Sequence, residues 1–83
     1  FPALNLAINA IKTGGSAPAI LNASNEIAVG AFLENKISFL SITKIVDLTL
    51  NKSNICEITS IEEVLDVDIQ ARIIAEKFIK LES

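Results

Sequence analysis

The fold class of this chain is decided by one stretch, APAILNASNEIAV at residues 17–29. Its apolar residues recur at helical spacing, and three polar side chains stand at i, i+3 and i+4, so they share one face of the helix. We name them the Asn patch: Asn22, Asn25 and Glu26. One turn further on the same face becomes apolar, whereas a solvent-facing side would stay polar. We therefore predict that the Asn patch is partly covered and structurally hydrogen-bonded, with a ligand contact as the alternative.

Signals for helix starts and stops divide the sequence around this stretch. Pro2 suits the first position of a helix, where a missing N–H costs nothing, and Gly14-Gly15 can end that helix with positive φ angles. Ser16 is predicted to be the N-cap of a second helix, which should run to about Asn35. The first half of the chain therefore predicts two helices with a glycine corner between them.

The second half of the sequence predicts two more helices. The third covers residues 41–51, with an apolar stripe toward the core and Lys44 facing away from it. Ser60 and Glu63 form a capping box, which predicts the start of a last helix that runs to the end of the chain. Segment 52–60 is too apolar to be free in water, so we expect it to pack over the bundle. Its backbone groups are the partners that we expect for the Asn patch.

Together these segments predict an all-α fold, a small antiparallel bundle of about four helices. The chain has 83 residues, of which 51% are hydrophobic, and this size suits a single domain over residues 1–83. A net charge of −3 and the lack of a basic cluster argue against nucleic acid as a partner. The apolar stretches fall short of the roughly 20 residues that a membrane span needs, so no membrane partner is predicted.

The sequence offers few side chains for catalysis. It contains no histidine, so a zinc site would have to rely on one cysteine and a nucleophilic triad would lack its base. Gly14-Gly15 lacks the spacing of a dinucleotide-binding loop. Cys56 is interpreted as an ordinary small apolar side chain. We therefore predict that this segment contributes no catalytic, cofactor-binding or metal-binding residue.

Several motifs, in matching order, resemble the C-terminal part of the 1-deoxy-D-xylulose 5-phosphate reductoisomerase family. They are FPALNLA at 1–7, GGSAP at 14–18, LNASNEIAV at 21–29, AFL with ISF at 31–33 and 37–39, and SIEEVLDVD with AR at 60–68 and 71–72. The resemblance covers nearly the whole chain and is weakest over residues 51–59. Thr43 stands where the family commonly has a proline.

The resemblance implies an enzyme that converts 1-deoxy-D-xylulose 5-phosphate to 2-C-methyl-D-erythritol 4-phosphate, in the methylerythritol phosphate route to isoprenoids. Such an enzyme uses NADPH and a divalent cation, magnesium or manganese. It has an N-terminal dinucleotide-binding domain, a central catalytic domain that forms the homodimer, and a C-terminal helical bundle. The segment resembles that bundle alone, a structural support that is inactive by itself.

The same resemblance implies the partners and the location of the segment. Its partners are the remaining domains of the same enzyme, and the full-length protein is expected to be a homodimer. It is expected in the cytoplasm of a bacterium, or in a plastid-type organelle if the source is eukaryotic.

Two alternatives come from size and charge alone. The first is a stand-alone acidic helical carrier or protein-interaction module, since acyl carrier proteins share this length, acidity and number of helices. Such carriers need a serine directly after an aspartate, and no serine of this sequence follows one. The second is an unrelated dimerisation bundle, which self-association of the isolated chain would reveal.

Overall fold

Four helices make up most of the part of the chain that the computed structural model describes, residues 2–82. They are α1 (Pro2–Thr13), α2 (Ala17–Leu33), α3 (Phe39–Lys52) and α4 (Ile61–Glu82). Turns and loops connect them, and no strand occurs within the described range. The predicted all-α bundle is confirmed. None of these helices combines the length and the apolarity that crossing a membrane requires.

The corner between α1 and α2 is made by two glycines. Gly14 and Gly15 have φ angles of 71° and 56°, a region that side chains of L-residues rarely adopt. The Gly14 N–H still donates to the Ala10 carbonyl, at 3.0 Å, so the first glycine completes α1. Ser16 precedes α2 as predicted, but its backbone is already helical and its hydroxyl caps no N–H of α2. The prediction of a Ser16 side-chain cap is therefore wrong, because this hydroxyl has a partner elsewhere in the chain.

Helix α2 ends at Leu33, two residues before the predicted boundary. Asn35 adopts a positive φ of 62°, which asparagine tolerates better than other residues with a side chain. Its N–H donates to the Phe32 carbonyl at 3.0 Å, and the Lys36 N–H donates to the Ala31 carbonyl at 2.9 Å. These two bonds form a Schellman motif, which satisfies the last carbonyls of the helix and stops it.

Helix α3 begins at Phe39 rather than at residue 41, directly after the extended residue Ser38. Lys44 is exposed on it, as predicted, and its ammonium group donates to a carboxylate oxygen of Glu82 at 2.7 Å. This ion pair ties the first turns of α3 to the last turn of α4.

The capping box before α4 is confirmed in its first half. The Ser60 hydroxyl accepts a hydrogen bond from the Glu63 N–H at 3.1 Å. The Glu63 carboxylate reaches back one residue further than in the usual motif, to the N–H of Thr59 at 3.0 Å and to its hydroxyl at 2.8 Å. The hydrogen bonds from Thr59 lower the pKa of Glu63, the backbone N–H first and the hydroxyl second.

Two clusters of buried side chains form the core: the first is drawn from α2, α3 and α4, and the second from α2 and α4. One consists of Ala28, Ala31, Ile45, Ala75 and Ile79, and the other of Ile20, Ala23 and Ala71. Alanine dominates both clusters, and small side chains allow neighbouring helices to approach closely. Helix α2 lies at the centre, because its contacts with the other three helices are the most extensive in the bundle.

Candidate functional site

The Asn patch is exposed, and all three of its side chains face solvent. The Asn22 amide donates to the Glu26 carboxylate one turn along the helix, at 3.1 Å. Asn25 borders a small cavity of about 50 Å³ beside α1 and α3. None of the three side chains bonds to segment 52–60 in the described structure, so the prediction that the patch is covered by this segment is wrong.

Glu26 instead belongs to an ion-pair network that joins α2 to α4. Arg72 donates through Nη2 to Glu26 Oε2 at 2.8 Å and through Nε to Asp68 Oδ2 at 2.8 Å. We name Glu26, Asp68 and Arg72 the Arg72 clamp. The hydrogen bond to Asp68, followed by the one to Glu26, raises the pKa of Arg72, so the guanidinium stays charged. The clamp can hold two helices together, and its one cation faces two carboxylates.

Ser16, rather than the Asn patch, forms hydrogen bonds with the backbone of segment 52–60. Its N–H donates to the Cys56 carbonyl at 2.8 Å, and its hydroxyl accepts from the Cys56 N–H at 3.0 Å. Ser16 is fully buried, and a Cβ atom on the preceding Gly15 would overlap the Cys56 carbonyl oxygen. We name Gly15, Ser16 and Cys56 the corner anchor. The second of two consecutive glycines, more than a helix stop needs, is the sequence signal for this close approach.

The rest of segment 52–60 is less covered than predicted. Only Ser53 and Ile58 are half-buried, and the other residues of the segment are exposed. The Cys56 side chain is among the exposed ones and forms no disulfide. The segment is held by its backbone at one point rather than by its side chains along its length.

The buried hydroxyl groups elsewhere have partners within their own helices. Ser24 donates to the Ile20 carbonyl at 2.7 Å, and Thr49 donates to the Ile45 carbonyl at 2.8 Å. Within residues 2–82, no buried side-chain nitrogen or oxygen lacks a hydrogen bond. Unpaired polar groups are costly in a protein interior, so these hydroxyls are satisfied as parts of the fold rather than held open for a ligand.

A half-open groove of about 480 Å³ lies between α2 and α4. Both acidic and basic side chains line it: Glu26, Glu34, Lys36, Glu76 and Lys80. No three histidine, cysteine, aspartate or glutamate side chains within the described part of the chain are placed to hold one metal ion. The prediction that this segment supplies no catalytic, cofactor-binding or metal-binding residue stays a prediction.

The family of the chain follows from comparison with known proteins. A family model described as the DXP reductoisomerase C-terminal domain matches residues 1–74. The chain belongs to this family. The resemblance of its motifs to the C-terminal part of the reductoisomerases is thereby confirmed.

Individual reductoisomerases match over most of the segment. The enzyme of Acinetobacter baumannii strain SDF is 54% identical over 80 residues, which are 96% of this chain and 20% of that protein. The enzyme of Zymomonas mobilis is 53% identical over 73 residues, or 88% of this chain and 19% of the relative. The enzyme of Acetivibrio thermocellus is 44% identical over 80 residues, again 96% of this chain. The chain spans about a fifth of the length of these reductoisomerases.

A solved reductoisomerase structure has the same fold over this segment. The enzyme from Zymomonas mobilis, in complex with NADPH, superposes with a TM-score of 0.92 at 51% sequence identity. The superposition covers 95% of this chain and 21% of the solved chain. Fold and sequence therefore agree on the family, and they favour it over the acidic carrier and the unrelated dimerisation bundle.

Proposed function

We propose that this segment is the non-catalytic helical domain at the carboxyl end of an enzyme that converts 1-deoxy-D-xylulose 5-phosphate to 2-C-methyl-D-erythritol 4-phosphate with NADPH. The observation that carries the proposal is the match of residues 1–74 to the C-terminal domain of the reductoisomerases. The NADPH-bound relative, of which this fold covers about a fifth, supports the choice of cofactor. The domain serves the reaction by supporting the remainder of the enzyme.

The polar groups of the segment support a structural role. The Arg72 clamp uses its charged atoms to join α2 to α4, and the corner anchor uses its polar atoms to hold one loop. A group committed to such bonds is not available to polarise a substrate carbonyl or to shuttle a proton. Catalysis then depends on the four-fifths of the enzyme outside this segment.

Three finer points belong to the same proposal. The divalent cation, magnesium or manganese, is bound by residues outside this segment. The full-length enzyme acts as a homodimer, with the other domains of its own chain as the direct partners of the segment. Its location is the bacterial cytoplasm, as suits relatives that come from bacteria, and a plastid-type organelle applies only to a eukaryotic source.

Enzyme assays on the full-length protein and on residues 1–83 test this proposal. The full-length enzyme should oxidise NADPH when it is given both 1-deoxy-D-xylulose 5-phosphate and magnesium or manganese. The segment alone should show no oxidation, and calorimetric titration should show no micromolar binding of either metal or of NADPH. Micromolar binding to the segment, or a full-length enzyme that is inactive on this substrate, would contradict the proposal.

A further inference from the structure

Helix α1 exposes a continuous apolar stripe. Leu4, Ile8 and Ile11 stand at i, i+4 and i+7, which places them on one face of the helix. Their exposed fractions are 56%, 40% and 70%. We name these three residues the α1 stripe. Single exposed aliphatic residues are ordinary on a protein surface, but three in a row on one helix face form a patch of the kind that marks a contact surface.

Helix α1 is also only weakly held by the rest of the bundle. Ala10 is its one buried residue among those described, and neither core cluster contains a residue of α1. It contacts α2 and α3 but not α4. An open groove of about 220 Å³, with Leu6 and Ile55 among its lining residues, remains beside it. The other three helices supply the core, so the packing of α1 against them contributes little to holding α1 in place.

The charges around the stripe distinguish it from the exposed apolar face of α4. That helix exposes four aliphatic side chains at intervals of four residues, Ile61, Leu65, Ile69 and Ile73, but the acidic residues Glu62 and Asp66 adjoin them in the sequence. Helix α1 contains no acidic residue, and Lys12 in its last turn is its one charged side chain. Charged residues are depleted from the centres of protein interfaces, so the α1 stripe is the better candidate for a buried contact.

The position of α1 in the chain indicates what covers it. The family model describes a C-terminal domain and matches from residue 1, and the relatives are about five times as long as this chain. The preceding part of such an enzyme therefore joins the segment at the amino end of α1. A covalent connection raises the effective concentration of the two surfaces to the millimolar range, so even a small apolar contact is sufficient to keep them together.

We propose that the α1 stripe is the surface through which this domain packs against the preceding part of its own enzyme. The inference rests on the proposed function, because it takes the segment as the last domain of a longer chain. Helix α1 then makes contacts on two sides: its inner side packs against α2 and α3, and its outer side packs against the neighbouring domain.

Hydrogen exchange in the full-length enzyme tests the inference with two matched double variants. Leu4→Ala/Ile11→Ala truncates the α1 stripe, and Leu65→Ala/Ile69→Ala truncates two equally exposed residues of α4. Alanine is a good helix former, so neither change weakens the helix itself. We expect the α1 amides to exchange about tenfold faster in the first variant, with a lower thermal midpoint of the enzyme. The α4 variant should leave both quantities unchanged.

Three results would overturn the inference. Unchanged exchange in the α1 variant would show that nothing covers the stripe, and a larger effect of the α4 variant would place the contact on the other face. Exchange of wild-type α1 amides that slows as the enzyme concentration rises would assign the stripe to a second copy. The NADPH oxidation assay is a separate measurement, so an inactive enzyme with a protected α1 would reject the proposed reaction and keep the docking surface.

Discussion

Helix α1 and the unit formed by α2, α3 and α4 differ in how they contribute to the core, because both core clusters belong to the three-helix unit. The three-helix unit buries mostly small side chains, with Ala23, Ala28 and Ala75 fully inaccessible to solvent. Helix α1 has larger aliphatic residues and leaves Leu4 and Ile11 more than half exposed. Hydrophobicity alone does not decide what this bundle buries. Small side chains let three helices close on one another, and the large ones on α1 remain outside this closed core.

The difference between the two regions should be largest when the same residue type is truncated in each. Ile45→Ala removes a fully buried side chain from the core of the three-helix unit and should lower the free energy of unfolding by about 2–5 kcal/mol. Ile11→Ala removes a mostly exposed side chain from α1 and should change it by less than about 0.5 kcal/mol in the 83-residue chain. Urea denaturation of the two variants measures both values. Equal losses would show that α1 is as much part of the core as α3.

The corner that joins the two regions offers a sharper test. Gly14 and Gly15 both have positive φ angles, but an added Cβ meets nothing within 4 Å at Gly14, whereas at Gly15 it overlaps the Cys56 carbonyl. Gly14→Ala should cost about 1–2 kcal/mol from backbone strain alone. Gly15→Ala should cost more, because it also disrupts the corner anchor. Thermal denaturation of both variants compares them, and equal midpoints would mean that the close approach to Cys56 contributes nothing.

Within the three-helix unit, the Arg72 clamp should contribute only modestly. Arg72→Met keeps much of the side-chain bulk and removes the charge, and we expect a loss of about 0.2–1 kcal/mol because the pairs are partly exposed. Lys77→Met on the exposed side of α4 is the matched control. The loss should shrink in high salt, and a double-mutant cycle with Glu26→Gln isolates the bond between α2 and α4. A coupling energy of zero would show that the bond between Glu26 and Arg72 does not stabilise the packing of α2 against α4.

Low pH should weaken the carboxylate hydrogen bonds at both ends of α4. The hydrogen bonds from Lys44 and then Ser41 lower the pKa of Glu82 below its ordinary value of 4.5, and those from Thr59 lower the pKa of Glu63. Because the folded state favours the ionised carboxylates, their contribution is present above the ordinary pKa and is lost as the pH falls through the lowered values.

The thermal midpoint should therefore fall as the pH is lowered below about 4.5, and less steeply in Glu63→Gln/Glu82→Gln than in the wild-type chain. Circular dichroism melts between neutral pH and pH 3 would measure this slope. Neither carboxylate lies in the core, so we expect this effect to be the smallest of the four. Identical slopes in the two proteins would show that these hydrogen bonds do not stabilise the folded state.

The sequence predicted those parts of the fold that depend on near neighbours in the chain. Pro2 at the start of α1, the glycine stop at Gly14 and the Ser60 cap of α4 each act within four residues, so their roles could be inferred without any tertiary structure. The predicted end of α2, at about Asn35, lay two residues too late, because Asn35 adopts a positive φ and the helix stops at Leu33.

Long-range partners are the part that could not be predicted. Helical spacing correctly placed Glu26 on one face with Asn22, but it could not show that Arg72, 46 residues away, would be the partner. It likewise could not show that Ser16 would bond across 40 residues to Cys56. Periodicity determines which residues share a face, whereas the identity of the opposite surface depends on how the helices pack.

The corner anchor has a consequence for how this domain can change in evolution. The hydrogen bonds of Ser16 and the close approach of Gly15 both involve main-chain atoms of Cys56, and every residue except proline presents the same N–H and carbonyl there. Substitutions in the connection between α3 and α4 should therefore change its backbone conformation little. A change in the length of this connection should be tolerated less well. The stretch that we predicted from the motifs to resemble the family least, residues 51–59, is thus one where a different composition can still give the same backbone.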